Sequence, residues 1–73
     1  MKAIFQEVIN TEILWEKCPG PYFQADYKEK LLTLRLNDFP DEVLLTLIID
    51  GDEQDLEETP KSWKIPPSAG QQR

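Results

Sequence analysis

The sequence predicts a small α+β domain: an antiparallel sheet built on a central hairpin over residues 31–37 and 43–50, covered on one face by an N-terminal helix. Three observations predict it. Leu32, Leu34 and Leu36 alternate with Thr33, Arg35 and Asn37, the period of a half-buried strand. Val43 to Ile49 is a seven-residue run with only Thr46 polar, which suits a central strand. With 73 residues, 40% of them hydrophobic, the chain has material for one core, so a single domain is expected over residues 1–65, with a flexible tail over 66–73.

The N-terminal segment admits two readings. As a helix, Ile4, Phe5, Val8, Ile9 and Trp15 fall in one sector, with Glu12 and Glu16 intruding on it; as strands, Ala3, Phe5, Ile9, Ile13 and Trp15 share one parity. The helix is preferred for residues 3–17, ending before Pro19-Gly20-Pro21, because a lone hairpin leaves its aliphatic side wet and a helix would cover it. Tyr22 to Tyr27 follows as a strand with Phe23, Ala25 and Tyr27 on one face.

The breaker Asp38-Phe39-Pro40-Asp41-Glu42 joins the two strands of the hairpin closely enough to make them antiparallel neighbours. Pairing Leu36 with Leu45, Leu34 with Leu47 and Leu32 with Ile49 gathers six large aliphatics on one face, each contributing about 1.5–3 kcal/mol when fully buried. Leu31, Thr33, Arg35, Leu44, Thr46 and Ile48 then share the other. Asp50-Gly51 marks a tight turn into a short acidic strand over Glu53 to Glu57, with Leu56 as its inward anchor. Thr59-Pro60 opens a helical turn that would fold Trp63 back onto the sheet, and Pro66 to Arg73, with no apolar side chain larger than Ala, forms the tail.

Composition narrows the chemistry. There is no histidine, which excludes serine triads, Cys-His pairs and zincin sites. The lone thiol, Cys18, has no internal partner for a disulfide and suits a reducing compartment, so a cytoplasmic location is expected; the N-terminus lacks the pattern of an export signal. The longest apolar run is far short of the roughly 20 residues of a membrane-spanning helix. An EF-hand loop starting at Asp50 fails at its sixth and twelfth positions, where Asp55 and Lys61 stand. Leu47-Ile48-Ile49-Asp50 resembles a magnesium-holding strand end, but the chain has no phosphate-binding loop. A glycosidase-like carboxylate pair would have too little body around it to enclose a sugar. No catalytic residue, metal ligand or cofactor is therefore assigned.

Charge is the informative feature. The net charge is −6, and Asp38 to Glu58 holds nine acids and no base. Nucleic acid and anionic membranes both require a cationic face, so neither is expected as a partner. The expected function is a non-catalytic protein-binding module or accessory subunit: carboxylates steer a basic partner and an aromatic ring anchors it. The candidate contact residues are Phe39, Asp41, Glu42, Asp52, Glu53, Asp55 and Trp63. Phe39 is divided between packing on the sheet end, the preferred reading, and an exposed anchor; Trp63 is divided between a C-terminal latch and a docking residue. The alternatives are an acidic inhibitor or immunity protein that blocks a basic partner such as a nuclease, and a divalent-cation site at Asp50, Asp52, Glu53 and Asp55. A monomer or a weak homodimer through Leu31, Leu44 and Ile48 completes the expectation.

Overall fold

The computed structural model describes residues 2–66, so the expected tail at 66–73 lies, apart from Pro66, outside the described residues. The fold is a small α+β one: a helix α1 (Ala3–Ile9) followed by β1 (Glu16–Lys17), β2 (Tyr22–Tyr27), β3 (Lys30–Leu36), β4 (Leu45–Ile49) and β5 (Asp52–Leu56). The strands form one antiparallel meander in the order β1-β2-β3-β4-β5.

The central hairpin has the register that its aliphatic pattern dictates. Leu32 lies opposite Ile49, Leu34 opposite Leu47 and Leu36 opposite Leu45. Five of these six are buried and Leu36 is partly so. Phe23 and Ala25 of β2 and Leu56 of β5 join the same face, as their parity predicts. Two two-residue loops connect the strands. Lys28 and Glu29 join β2 to β3, and Asp50 and Gly51 join β4 to β5, with positive φ at all four positions. That is the conformation whose twist matches the flanking strands.

α1 is shorter than the expected helix over 3–17. It ends at Asn10 and Thr11: the Asn10 side chain joins its own backbone N–H on Gln6 O (3.0 Å), and Thr11 turns its N–H to Val8 O (3.2 Å) while its hydroxyl donates to Glu7 O (2.7 Å). Beyond them the chain is extended. Ile13 and Trp15 point into the core and Leu14 out of it, so the period-two reading holds for this part and the helical one for Ala3–Ile9. The mixed outcome follows from Glu12 and Glu16, which a helix would have turned toward the apolar sector.

The core closes from the far end of the chain. The single turn expected after Thr59-Pro60 is present as a hydrogen-bonded turn, in which Trp63 donates its backbone N–H to Pro60 O (3.2 Å). Its ring is buried against Trp15, and its indole N–H donates to the carbonyl of Val8 at 2.9 Å. Ser62 Oγ donates toward the carbonyls of Ile9 and Thr11, at 3.2 and 3.1 Å. Leu44 departs from the expected alternation: it precedes β4 and packs against the core rather than lying on the opposite face. Among the described residues no helix is long and apolar enough to cross a membrane.

Candidate functional site

The face of the sheet opposite the core carries an ordered polar row. Arg35 Nε donates to Asn37 Oδ1 (2.7 Å), Asn37 Nδ2 to Thr46 Oγ1 (2.8 Å), and Thr46 Oγ1 to Asp55 Oδ1 (3.0 Å). Arg35, Thr46 and Asp55 are cross-strand neighbours, which is why three strands supply one row. Thr46 is fully buried beneath its neighbours, and both its hydrogen-bonding roles are filled.

The loop between β3 and β4 is held by its own atoms. Glu42 donates its N–H to Asp38 O (2.9 Å) while its carboxylate accepts the N–H of Asp38 (3.1 Å). The loop's tip carries Phe39, followed by a cis bond to Pro40. Phe39 is 60% exposed, which corrects the expectation that it packs on the sheet end. The breaker residues carry the ring past the last pair of the hairpin, Leu36 with Leu45. Phe39, Pro40, Asp41, Glu42, Leu44 and Glu57 surround a shallow concavity of about 420 Å³. Glu57 was not among the candidate residues, because only the pairing of β5 beside β4 brings it next to the loop.

The other candidate residues do not form one patch. Glu53 and Asp55 lie on the polar face, opposite Ile48 and Thr46. Asp52 lies at the far end of β5 and is engaged by Lys2. Trp63 is in the core, so it is the latch and not a docking residue. A second concavity, of about 670 Å³, lies where α1 ends, between Asn10 and the segment from Asp55 to Ser62; Glu57 lines this one as well.

Ion pairing is polarised along the sheet. The salt bridges found among the described residues are Lys2 with Asp52, Lys28 with Glu7 (2.5 Å) and Lys30 with Asp50 (2.6 Å), all at the end where the two tight turns lie. At the opposite end, Asp38, Asp41, Glu42 and Glu57 have no cationic partner within salt-bridge distance among the described residues, so their fields add rather than cancel. Lys28 first, and then the Tyr27 hydroxyl, hold the Glu7 carboxyl below its ordinary range, and Glu7 in turn raises Lys28. Asp50 and Asp52 are both turned to lysines, and among the described residues no three acidic or thiol side chains converge as a metal site would require.

Cys18 is half-buried, with its Sγ 3.9 Å from Glu16 O. The neighbouring Lys17 ammonium donates to the carbonyls of Cys18 (2.6 Å) and Gly20 (2.7 Å), holding the Pro19-Gly20-Pro21 turn rather than attending the thiol. In comparisons with known proteins, the chain matches no family model, no curated protein and no solved structure.

Proposed function

We propose that this chain is a non-catalytic, cytoplasmic protein-binding module, and that it docks a basic partner at the loop between β3 and β4. The observation that carries this reading is the exposed Phe39 ring amid Asp41, Glu42 and Glu57, at the end of the sheet where the carboxylates have no ion pairs among the described residues. A large apolar ring on a loop braced by its own hydrogen bonds loses little conformational freedom on binding, which is what a contact anchor needs. The surrounding charge accelerates encounter with a cationic surface and selects against acidic ones. The unpaired Cys18 supports the reducing compartment.

Two variants of the full chain test the reading: Phe39→Ser, and the triple variant Asp41→Asn, Glu42→Gln, Glu57→Gln. The partner recovered with the wild-type protein is expected to be basic at its contact surface. Phe39→Ser should weaken it at least about tenfold at any salt concentration. The triple variant should slow association and make it nearly independent of salt. Unchanged recovery by both variants would remove this loop as the docking site.

A further inference from the structure

The last strand of the sheet leaves one side of its main chain unmet. Leu44 O, just before β4, accepts from Asn37 N–H on the β3 side (3.0 Å). Successive residues of an antiparallel strand turn their backbone polar groups to opposite neighbours, so Thr46 and Ile48 face β3 as well, and Leu45, Leu47 and Ile49 face β5. Their partners Leu56, Gln54 and Asp52 are thereby committed to β4. Glu53 and Asp55 turn the other way, where the sheet order places no strand. Among the described residues, the N–H groups of both and the carbonyl of Glu53 have no hydrogen-bond partner, and Asp55 O accepts only from the side chain of its neighbour Gln54 (3.2 Å).

The two sides of this edge differ. Glu53 and Asp55 place exposed carboxylates on the polar face, and neither makes an ion pair among the described residues. Gln54 and Leu56 lie on the core side. There the edge borders the concavity of about 670 Å³ at the end of α1, where Ile9, Leu56 and Pro60 supply an apolar wall. Glu57, exposed at the end of the strand, lines both this concavity and the one beside Phe39.

We infer that the outer edge of β5 is a strand-addition site for an extended segment of a protein partner in which lysine or arginine alternates with apolar residues. An extended segment supplies the backbone partners that Glu53 and Asp55 lack, and its N–H displaces the Gln54 amide from Asp55 O; a helix has no backbone groups to offer. Side chains of the added strand that lie opposite Glu53 and Asp55 fall on the polar face, where cations meet the two carboxylates. Asp55 keeps Oδ1 on Thr46 and has its second oxygen for such a cation. The intervening side chains fall on the core side, where apolar ones enter the concavity beside Ile9, Leu56 and Pro60. A second copy of the chain is the wrong occupant, since pairing two such edges would crowd Glu53, Asp55 and Glu57 against the same acids of the other copy. The inference rests on the proposed function only for the basic character of the partner; the edge and the Phe39 loop are separate contacts that meet at Glu57.

The test follows amide shifts and amide hydrogen exchange of the full chain titrated with a capped Lys-Val-Lys-Val-Lys peptide. Saturable shifts are expected over Glu53 to Glu57, and at nine-tenths occupancy exchange at the Glu53 and Asp55 amides should slow about tenfold. Neither change is expected when the peptide's backbone is N-methylated on its pairing edge, or with a Glu-Val-Glu-Val-Glu peptide. Glu53→Pro removes one outward N–H and spares the ladder with β4, so it should weaken binding about tenfold, whereas Phe39→Ser should bind the peptide as the wild type does. The inference is overturned by no change at millimolar peptide, or by shifts confined to residues 37–44, which would leave the Phe39 loop standing alone. It is also overturned by changes that persist with the N-methylated peptide, which mark charge attraction alone. Slowed exchange at Glu53 and Asp55, with partner recovery indifferent to Phe39→Ser, would uphold this edge and remove the loop. Should Glu53→Pro fail to fold, the N-methylated peptide still decides. Sedimentation showing a dimer that Glu53→Pro dissociates would overturn the inference in favour of a second copy.

Discussion

Trp15 and Trp63 meet edge to face, with ring centroids 5.0 Å apart and planes inclined at 64°, yet among the described residues only Trp63 has a partner for its indole N–H. Trp63 Nε1 donates to Val8 O, tying the end of the described chain to α1 across 55 residues of sequence. Trp15 Nε1 is buried without a hydrogen-bond partner among the described residues. A buried donor left unmet costs about 1–3 kcal/mol.

The two tryptophans should therefore respond differently to the same change. Trp63→Phe loses ring contacts and also strands the Val8 carbonyl, so a destabilisation of about 2–4 kcal/mol is expected. Trp15→Phe loses similar contacts but removes an unmet donor, so it should cost at least about 1 kcal/mol less. Urea midpoints of the two variants decide it, and equal losses would contradict the assignment of the two N–H groups.

Thr46 joins Asn37 to Asp55 through one hydroxyl. Thr46→Val keeps the shape and leaves both neighbours without that partner, for an expected loss of about 1–2 kcal/mol. Thr33 lies on the same face, half-buried, with no side-chain hydrogen bond found among the described residues. Thr33→Val should fall within about 0.5 kcal/mol of the wild type or stabilise it, on strand propensity alone. Comparable losses for both would show that the polar row adds nothing.

Gly51 adopts φ +84°, and a Cβ built on it would meet no atom within 4 Å. Gly51→Ala thus isolates the backbone term of the left-handed conformation, and about 1–2 kcal/mol of destabilisation is expected. Glu29, at φ 66°, is the converse case. Glu29→Gly should be neutral to stabilising by up to about 1 kcal/mol, the conformational relief outweighing the flexibility added to the unfolded chain. Thermal midpoints of both variants are the readout.

The Glu7–Lys28 pair ties α1 to the turn between β2 and β3 and shapes the pH profile. The depressed carboxyl of Glu7 stabilises the fold above its ordinary 4.5 and loses that contribution as pH falls through its folded value, so the loss lies below 4.5. The raised ammonium of Lys28 contributes fully below its ordinary 10.5 and is lost as pH rises through its folded value, above 10.5. Both side chains are exposed, so the effect is small. The stability difference between wild type and Glu7→Gln should be flat from roughly pH 5 to 10 and shrink on either side. A difference that grows in acid would contradict this origin.

The sheet was legible in the sequence because side-chain alternation and tight-turn residues are local signals. Leu32, Leu34 and Leu36 have one parity, and pairing them with Leu45, Leu47 and Ile49 is the register that makes one face continuously apolar. Asp50-Gly51 announced its turn; Lys28-Glu29 forms an equivalent loop without glycine, so composition gave no signal there. The end of α1 was hidden because it depends on the side chains of Asn10 and Thr11 reaching back to helical carbonyls, a choice that apolar periodicity does not register.

The candidate surface was only partly legible. The run of acids from Asp38 to Glu58 reads as one patch along the chain, but β4 and β5 carry Asp52 and Asp41 to opposite ends of the sheet. Lys2 and Lys30, remote in sequence, neutralise Asp52 and Asp50 at the far end, and Glu57 joins Phe39 only through strand pairing. Each of these features depends on contacts between residues far apart in the chain.

A photo-reactive phenylalanine analogue placed at Phe39 of the full chain, and separately at the exposed helical residue Gln6, tests the docking loop most directly. Illumination in cells should give a discrete adduct from position 39 and none from position 6, and the adduct should disappear when Asp41, Glu42 and Glu57 are neutralised in the same chain. No adduct from position 39, or the same adduct from both positions, would contradict the assignment of this loop as the place where a partner docks.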